Sequence, residues 1–300
     1  MLLLAILMDL AYPYHTGLLL RIHPVRTSYV MAVKLGRPFS SRIRGVAVWT
    51  TVVSLHLLVY SLLIYSSLVN RFFFIVISAY VLKTSFSLKL LLDIVERVAT
   101  CLENGDLEGA RFWVQQIVRR DVKNLGEPHL ASAAIESLAE SLVDGYISPL
   151  FYYIIFGPLG ALFQRVVNTL DSALGYREPG FRDVGWFSAK ADTVVNYIPA
   201  RVTGLLIAVA SSASGGKVVE AIKTMVKEHG RTESVNAGYP MSAMAGALNV
   251  KLEKIGYYTI NGSARWPGWP DVLRALRVAK LVAVLWLAIS VGAILSTRGL

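Results

Sequence analysis

Three carboxylates, Glu136, Glu140 and Asp144, recur at intervals of four residues. On a helix this spacing stacks them along one face, about one turn apart. Like charges so placed repel, at a small cost per pair where water screens them. A stripe facing solvent has this spacing. So does a hard-cation site, because Mg²⁺ prefers carboxylate oxygens completed by phosphate and water. The stripe runs directly into Gly145 and the apolar segment 147–163, and a solvated stripe seldom sits where a chain enters lipid. A second cluster begins at Arg165, with Asn168 and Asp171 on the same helix face at intervals of three. Arg177, Asp183, Lys190, Asp192, Asn196 and Arg201 follow. They suit either a polar loop with local ion pairs or a pocket in which Arg and Lys clamp a phosphorylated, acidic substrate. Ser234-Val235-Asn236-Ala237-Gly238-Tyr239-Pro240 is turn-rich and runs into small residues up to Gly246. Small residues there permit close approach to a ligand or to a neighbouring helix. His23 precedes Pro24 as a weaker candidate, and His15, His56, His129 and His229 form no metal spacing. The chain carries no Walker P-loop, GxGxxG or CxxC pattern, so a nucleotide would need an unfamiliar site.

The elements that must position these residues are largely apolar. Of 300 residues, 54% are hydrophobic and only 17% charged, with a formal net charge of +10. An ordinary soluble domain carries about 25% charged residues. Disorder, collagen and, with Cys101 as the only cysteine, a disulfide scaffold are excluded. The composition implies an integral membrane protein, and the expected fold is all-α, in a single membrane-embedded domain over 1–300. A spanning helix needs about 20 apolar residues. Segments 46–69, 72–92 and 278–296 qualify, and 1–20, with Asp9 inside, is a fourth candidate. It lacks the basic start and cleavage site of a signal peptide and is expected to be retained. Segments 147–163 and 194–213 are broken or re-entrant candidates; the first contains Gly157-Pro158 and the second Arg201. The expectation is four full spans, two broken ones, and amphipathic helices on the cytoplasmic face. Segment 21–45 carries Arg21, Arg26, Lys34, Arg37, Arg42 and Arg44, which places it inside. The polar segments 93–145, 164–193 and 217–277 are expected on that same side, with both termini outside. Cys101 suits a reducing cytoplasm.

Longer motifs carry a resemblance. Glu136-Ser137-Leu138-Ala139-Glu140-Ser141-Leu142-Val143-Asp144-Gly145, then Ser148-Pro149-Leu150-Phe151-Tyr152, then Arg165-Val166-Val167-Asn168-Thr169-Leu170-Asp171-Ser172 with Gly175-Tyr176-Arg177, resemble the CobD/CbiB family of cobalamin biosynthesis. So do Asp192-Thr193-Val194-Val195-Asn196-Tyr197-Ile198-Pro199-Ala200-Arg201 and the stretch from Ser234 to Pro240. Smaller matches are Asp9, His23-Pro24-Val25, Arg119-Arg120-Asp121 and Leu252-Glu253-Lys254. The resemblance covers nearly the whole chain, in order. Ser141 stands where the family usually has Asn, Val235 where it has Pro, and Ala11-Tyr12-Pro13 where it has Gly-Asp-Pro.

The resemblance implies adenosylcobinamide-phosphate synthase, an integral membrane carbon–nitrogen ligase. This enzyme joins adenosylcobyric acid to (R)-1-aminopropan-2-ol phosphate, or a related amino alcohol, with ATP as co-substrate and Mg²⁺ as cofactor. It further implies that Glu136, Glu140, Asp144 and Asp171 are the catalytic carboxylates, the last three of them metal ligands. His23, Arg165, Asn168, Arg177, Lys190, Asp192, Asn196, Arg201, Ser234 and Asn236 are the implied substrate- and phosphate-binding residues. The implied location is the cell membrane, multi-pass, with the active site on the cytoplasmic side. Lipid is then a partner, a second copy of the chain is kept open, and nucleic acid is not expected. Two other classes compete: a membrane transporter for corrinoids, and a non-catalytic membrane regulator of the same superfamily. The first would use Asp9, Arg201 and the broken segments. The second would be expected to lose the acidic and Asn-Thr-Leu-Asp motifs, which are intact in this chain.

Overall fold

The computed structural model describes residues 1–298. Helix makes up 75% of it, with almost no sheet. Among the described residues, four helical runs are long and apolar enough to cross a membrane: Arg42–Val69, Arg71–Glu103, Glu127–Leu174 and Trp269–Ser296. A fifth candidate is the pair Trp186–Val195 and Tyr197–Ser214, bent by 48°.

The bounds differ from the sequence expectation at instructive places. Residues 1–20 are not one helix. Leu2–Ala11 is ten residues long, and a five-residue helix, Gly17–Arg21, follows Pro13. Ten residues rise about 15 Å, half of a ~30 Å hydrocarbon core. Glu127–Leu174 takes the fourth place. It starts where Pro128 occupies the first turn, a position that needs no amide donor. It then passes through a π-helical turn, Val143–Ile147, and breaks again at Gly157, whose φ of 68° and ψ of −160° only glycine adopts freely. The Arg71–Glu103 run likewise contains two helices, Arg71–Lys83 and Leu88–Glu103, separated by four residues. Helix Leu107–Gln115 ends where the Gln115 side-chain amide donates to the carbonyls of Val118 and Arg120 and turns the chain.

The chain divides into two compact units. The first comprises 1–87, 144–196 and the C-terminal residues from Ala293. Its core sets Val48, Val52 and Val53 of helix Arg42–Ser66 against Leu162, Val166 and Leu170 of helix Ser148–Leu174. The second comprises Leu88–Val143 and Tyr197–Gly292. There helix Gly238–Leu248 is buried at every position but Tyr239. A Cβ at Gly246 would stand 2.6 Å from the Glu220 carbonyl oxygen, so the small residues after Asn236 serve helix packing. A hairpin pairs Leu252–Lys254 antiparallel with Tyr258–Ile260, Glu253 opposite Thr259.

Candidate functional site

In the first unit, helix Ser148–Leu174 places Arg165, Asn168 and Asp171 at intervals of three, as the spacing predicts. Asn168 is buried and donates through Nδ2 to Asp192 Oδ1 at 3.2 Å. Asn196, at the C-terminal end of helix Trp186–Val195, donates to that oxygen at 2.8 Å. Asn196 Oδ1 in turn accepts from Ser148 Oγ at 2.6 Å and Gln164 Nε2 at 3.1 Å. Two amides thus hold one carboxylate, and a hydroxyl and a third amide fix the orientation of Asn196. Arg165 Nη1 lies 3.3 Å from Asn168 Oδ1 and 3.4 Å from the Asp144 carbonyl oxygen in the π-helical turn. It also interacts electrostatically with Asp144. Such turns recur at functional sites because they re-aim the backbone. Asp171 is partly buried, one turn before Gly175, where a Cβ would fall 1.9 Å from Asp171 Oδ1. Gly175 therefore leaves the room that the Asp171 carboxylate occupies.

His23 belongs to the same unit. Its Nδ1 accepts from the Val25 amide at 3.3 Å and caps helix Pro24–Leu35. Burial first, then His15, Arg165 and Lys83, push its pKa down to about 3, so the ring is neutral at pH 7. Arg177 and Lys190 are exposed. The structure thus gathers His23, Asp144, Arg165, Asn168, Asp192 and Asn196, and leaves those two cations at the surface.

The second unit holds the remaining sequence-predicted residues. Glu136 is buried at 5% exposure on helix Glu127–Leu142. Its Oε1 accepts from Ser132 Oγ at 2.6 Å and Arg120 Nη2 at 3.2 Å, and its Oε2 from the Tyr258 hydroxyl at 2.6 Å. Burial, then the Glu136 charge and its hydrogen bond, hold the Tyr258 hydroxyl protonated far above its ordinary range. Glu140, one turn on, is exposed. Arg201 is stacked between Tyr197 and Tyr239, its guanidinium carbon 3.3 Å and 4.2 Å from the ring centres. It also donates to Asn236 Oδ1 at 3.4 Å. Ser234 is exposed, and its Oγ accepts from the amides of Asn236 and Ala237, which makes it a turn-former.

Of the expected metal set, Glu140 belongs to the second unit and Asp144 and Asp171 to the first. No group of three or more His, Cys, Asp or Glu side chains that could hold a metal ion occurs among the described residues. The donors that remain still suit Mg²⁺, which commonly takes one or two carboxylates and completes its shell with water and phosphate.

Sequence reasoning missed Ser132, Arg120 and Tyr258 as partners of Glu136. It also missed Lys83, which appears in sequence only as an interruption of an apolar run. An ionisable residue inside an apolar span is by itself a signal of function.

The chain matches the CobD/Cbib protein family model over residues 2–287. It is 48% identical over 292 residues to a probable cobalamin biosynthesis protein CobD of Aeropyrum pernix, covering 96% of this chain and 91% of the relative. A probable CobD of Thermoplasma volcanium is 38% identical over 276 residues, 90% of each chain. A cobalamin biosynthesis protein CobD of Dehalococcoides mccartyi is 39% identical over 241 residues, 80% of this chain and 78% of the relative. No solved structure matches. With the fold, the motif residues and a match along nearly its whole length in agreement, the chain belongs to the CobD/CbiB family of cobalamin biosynthesis.

Proposed function

We propose that the protein is an ATP-dependent amide ligase that joins adenosylcobyric acid to (R)-1-aminopropan-2-ol phosphate, giving adenosylcobinamide phosphate. The observation that carries this reading is the family match over residues 2–287, which takes in every motif residue from His23 to Asn236. A carboxylate and an ammonium do not condense in water without activation. On this reading a propionate oxygen attacks the γ-phosphorus of ATP and ADP leaves. The amine lone pair then attacks the acyl carbon, inorganic phosphate leaves, and the amine's proton passes to a base. Arg165 neutralises phosphate charge, and the Asn168–Asp192–Asn196 network keeps the neighbouring side chains fixed. Asp144 and Asp171 would hold Mg²⁺ and serve proton transfer, with Glu140 as a further carboxylate. Bound Mg²⁺ would stabilise charge that develops on the phosphate oxygens. An apolar surround would protect the acyl phosphate from water. The polar segments face the cytoplasm, where ATP is supplied.

The test is conversion of adenosylcobyric acid by the purified full chain, followed by mass, with ATP, Mg²⁺ and the amine each omitted in turn. Product should require all three. Asp144→Asn and Asp171→Asn should each lose at least about a hundredfold in rate with Mg²⁺ saturating, since metal-ion stabilisation supplies several kcal/mol. Full activity in both variants would remove the carboxylate assignment. Product without ATP would remove the acyl phosphate and keep the ligase.

A further inference from the structure

A polar centre lies inside the first unit, where His15, Tyr80 and Lys83, to which the reaction above gives no role, stand near His23 and Arg165. The turn after helix Leu2–Ala11 carries His15, and the last turn of helix Arg71–Lys83 carries Tyr80 and Lys83. Lys83 and Asp9 are each 3% exposed, with Nζ 3.9 Å from Oδ1. That is too far for a direct hydrogen bond, so the pair is electrostatic. Lys83 Nζ is 3.5 Å from His15 Nδ1. The His15 ring centre is 4.4 Å from that of His23 and 6.0 Å from that of Tyr80. Arg165 and Lys83 both act electrostatically on His23.

Burial, with Lys83 second, takes the His15 pKa down to about 4, so its ring is neutral at pH 7. A neutral imidazole has one donor and one acceptor. Nδ1 faces an ammonium, which only donates, so the hydrogen sits on Nε2. That Nε2 is buried without a hydrogen-bond partner, and so are the Tyr80 hydroxyl and Arg165 Nε. Leaving a buried donor unpaired is costly, and these three, none of them bonded to the Asp9 carboxylate, call for a further acceptor. Ionisable groups within apolar spans point to function by the same logic.

We propose that His15, Tyr80, Lys83 and Arg165 form a pocket for the terminal phosphate of a substrate. Two cations and two neutral donors, from separate parts of the chain, suit a group with three acceptor oxygens arranged tetrahedrally. Asp9 holds the ammonium in place. The pocket rests on the ligase reading only for the source of its phosphate, which is either the nucleotide or the amino alcohol phosphate.

Equilibrium binding to the purified full chain tests it, with four probes: inorganic phosphate, (R)-1-aminopropan-2-ol phosphate, the unphosphorylated amino alcohol, and β,γ-imido ATP. Tyr80→Phe deletes one unpaired donor, so its melting temperature should hold or rise, and His15→Gln displaces a second from its position. Each should weaken at least one phosphate-bearing probe about tenfold and leave the unphosphorylated amino alcohol unchanged. Loss confined to β,γ-imido ATP assigns the pocket to the nucleotide. Loss confined to the amino alcohol phosphate assigns it to that substrate. If every phosphate-bearing probe binds both variants as it binds the parent, or if the parent binds none, the pocket is refuted. Amide formation with unchanged binding in both variants would refute the pocket and leave the ligase. Weakened phosphate binding in a chain that forms no amide would do the reverse.

Discussion

Glu136 and Glu140 stand one turn apart on the same helix, in opposite surroundings. Glu136 is buried with donors on both oxygens, from Ser132, Arg120 and Tyr258. Glu140 is exposed. Replacing a carboxylate so satisfied leaves buried donors without an acceptor. Glu136→Gln should therefore lower stability by roughly 1–3 kcal/mol, read as a fall in the thermal midpoint in detergent. Glu140→Gln should leave that midpoint within about 0.5 kcal/mol of the parent, as exposed substitutions usually do. Equal destabilisation by the two would refute this division. Their spacing was legible in the sequence, and so was the shared face of Arg165, Asn168 and Asp171. What separates Glu136 from Glu140 was not, because Tyr258 lies 122 residues further on and only the folded chain brings it back. Lys83 was legible in principle, since a cation within an apolar run asks for a reason.

At the scale of elements, two of the candidate residues sit where helices are interrupted. The π-helical turn Val143–Ile147 contains Asp144, and the break between Lys83 and Leu88 follows directly on Lys83. Interrupted helices at membrane depth persist where their freed backbone groups find partners inside the protein. The Ser87 amide donating to the Gly145 carbonyl oxygen at 3.0 Å is one such contact. Gly157-Pro158 announced its break in the sequence, because proline disfavours helix in the residue before it. The π-helical turn has no comparable signature: Val143-Asp144-Gly145-Tyr146-Ile147 reads as ordinary helix. The two glycines can be told apart by substitution. Both have open space where a Cβ would go, and only Gly157 has positive φ. Gly157→Ala should cost about 1–3 kcal/mol through backbone strain alone. Gly145→Ala should be neutral or stabilising. Thermal unfolding of both variants in one detergent decides it, and a harmless Gly157→Ala would contradict the conformation described.

For the whole molecule, the question is which side of the membrane the polar segments face. Each compact unit is assembled from separated stretches of sequence, the first from 1–87 and 144–196. The loops between apolar runs must therefore return repeatedly, and their charges bias the orientation. Six Lys or Arg residues lie between Arg21 and Arg44, whereas the turn at Val69-Asn70-Arg71 holds only one. The cytoplasmic side takes the richer loop. Helix Arg42–Val69 joins the two, so its ends should face opposite sides. Phe39 and Val69 flank it with 84% and 93% exposure, which makes both suitable labelling positions once Cys101 is replaced by Ser. In intact cells a membrane-impermeant maleimide should label Val69→Cys directly, and Phe39→Cys only after permeabilisation. The reverse pattern would put the segment from Arg21 to Arg44 on the side without ATP, and an ATP-dependent ligase could not then work on that face. Labelling of both positions in intact cells would mean that Arg42–Val69 does not cross, and the count of spanning helices would fall with it.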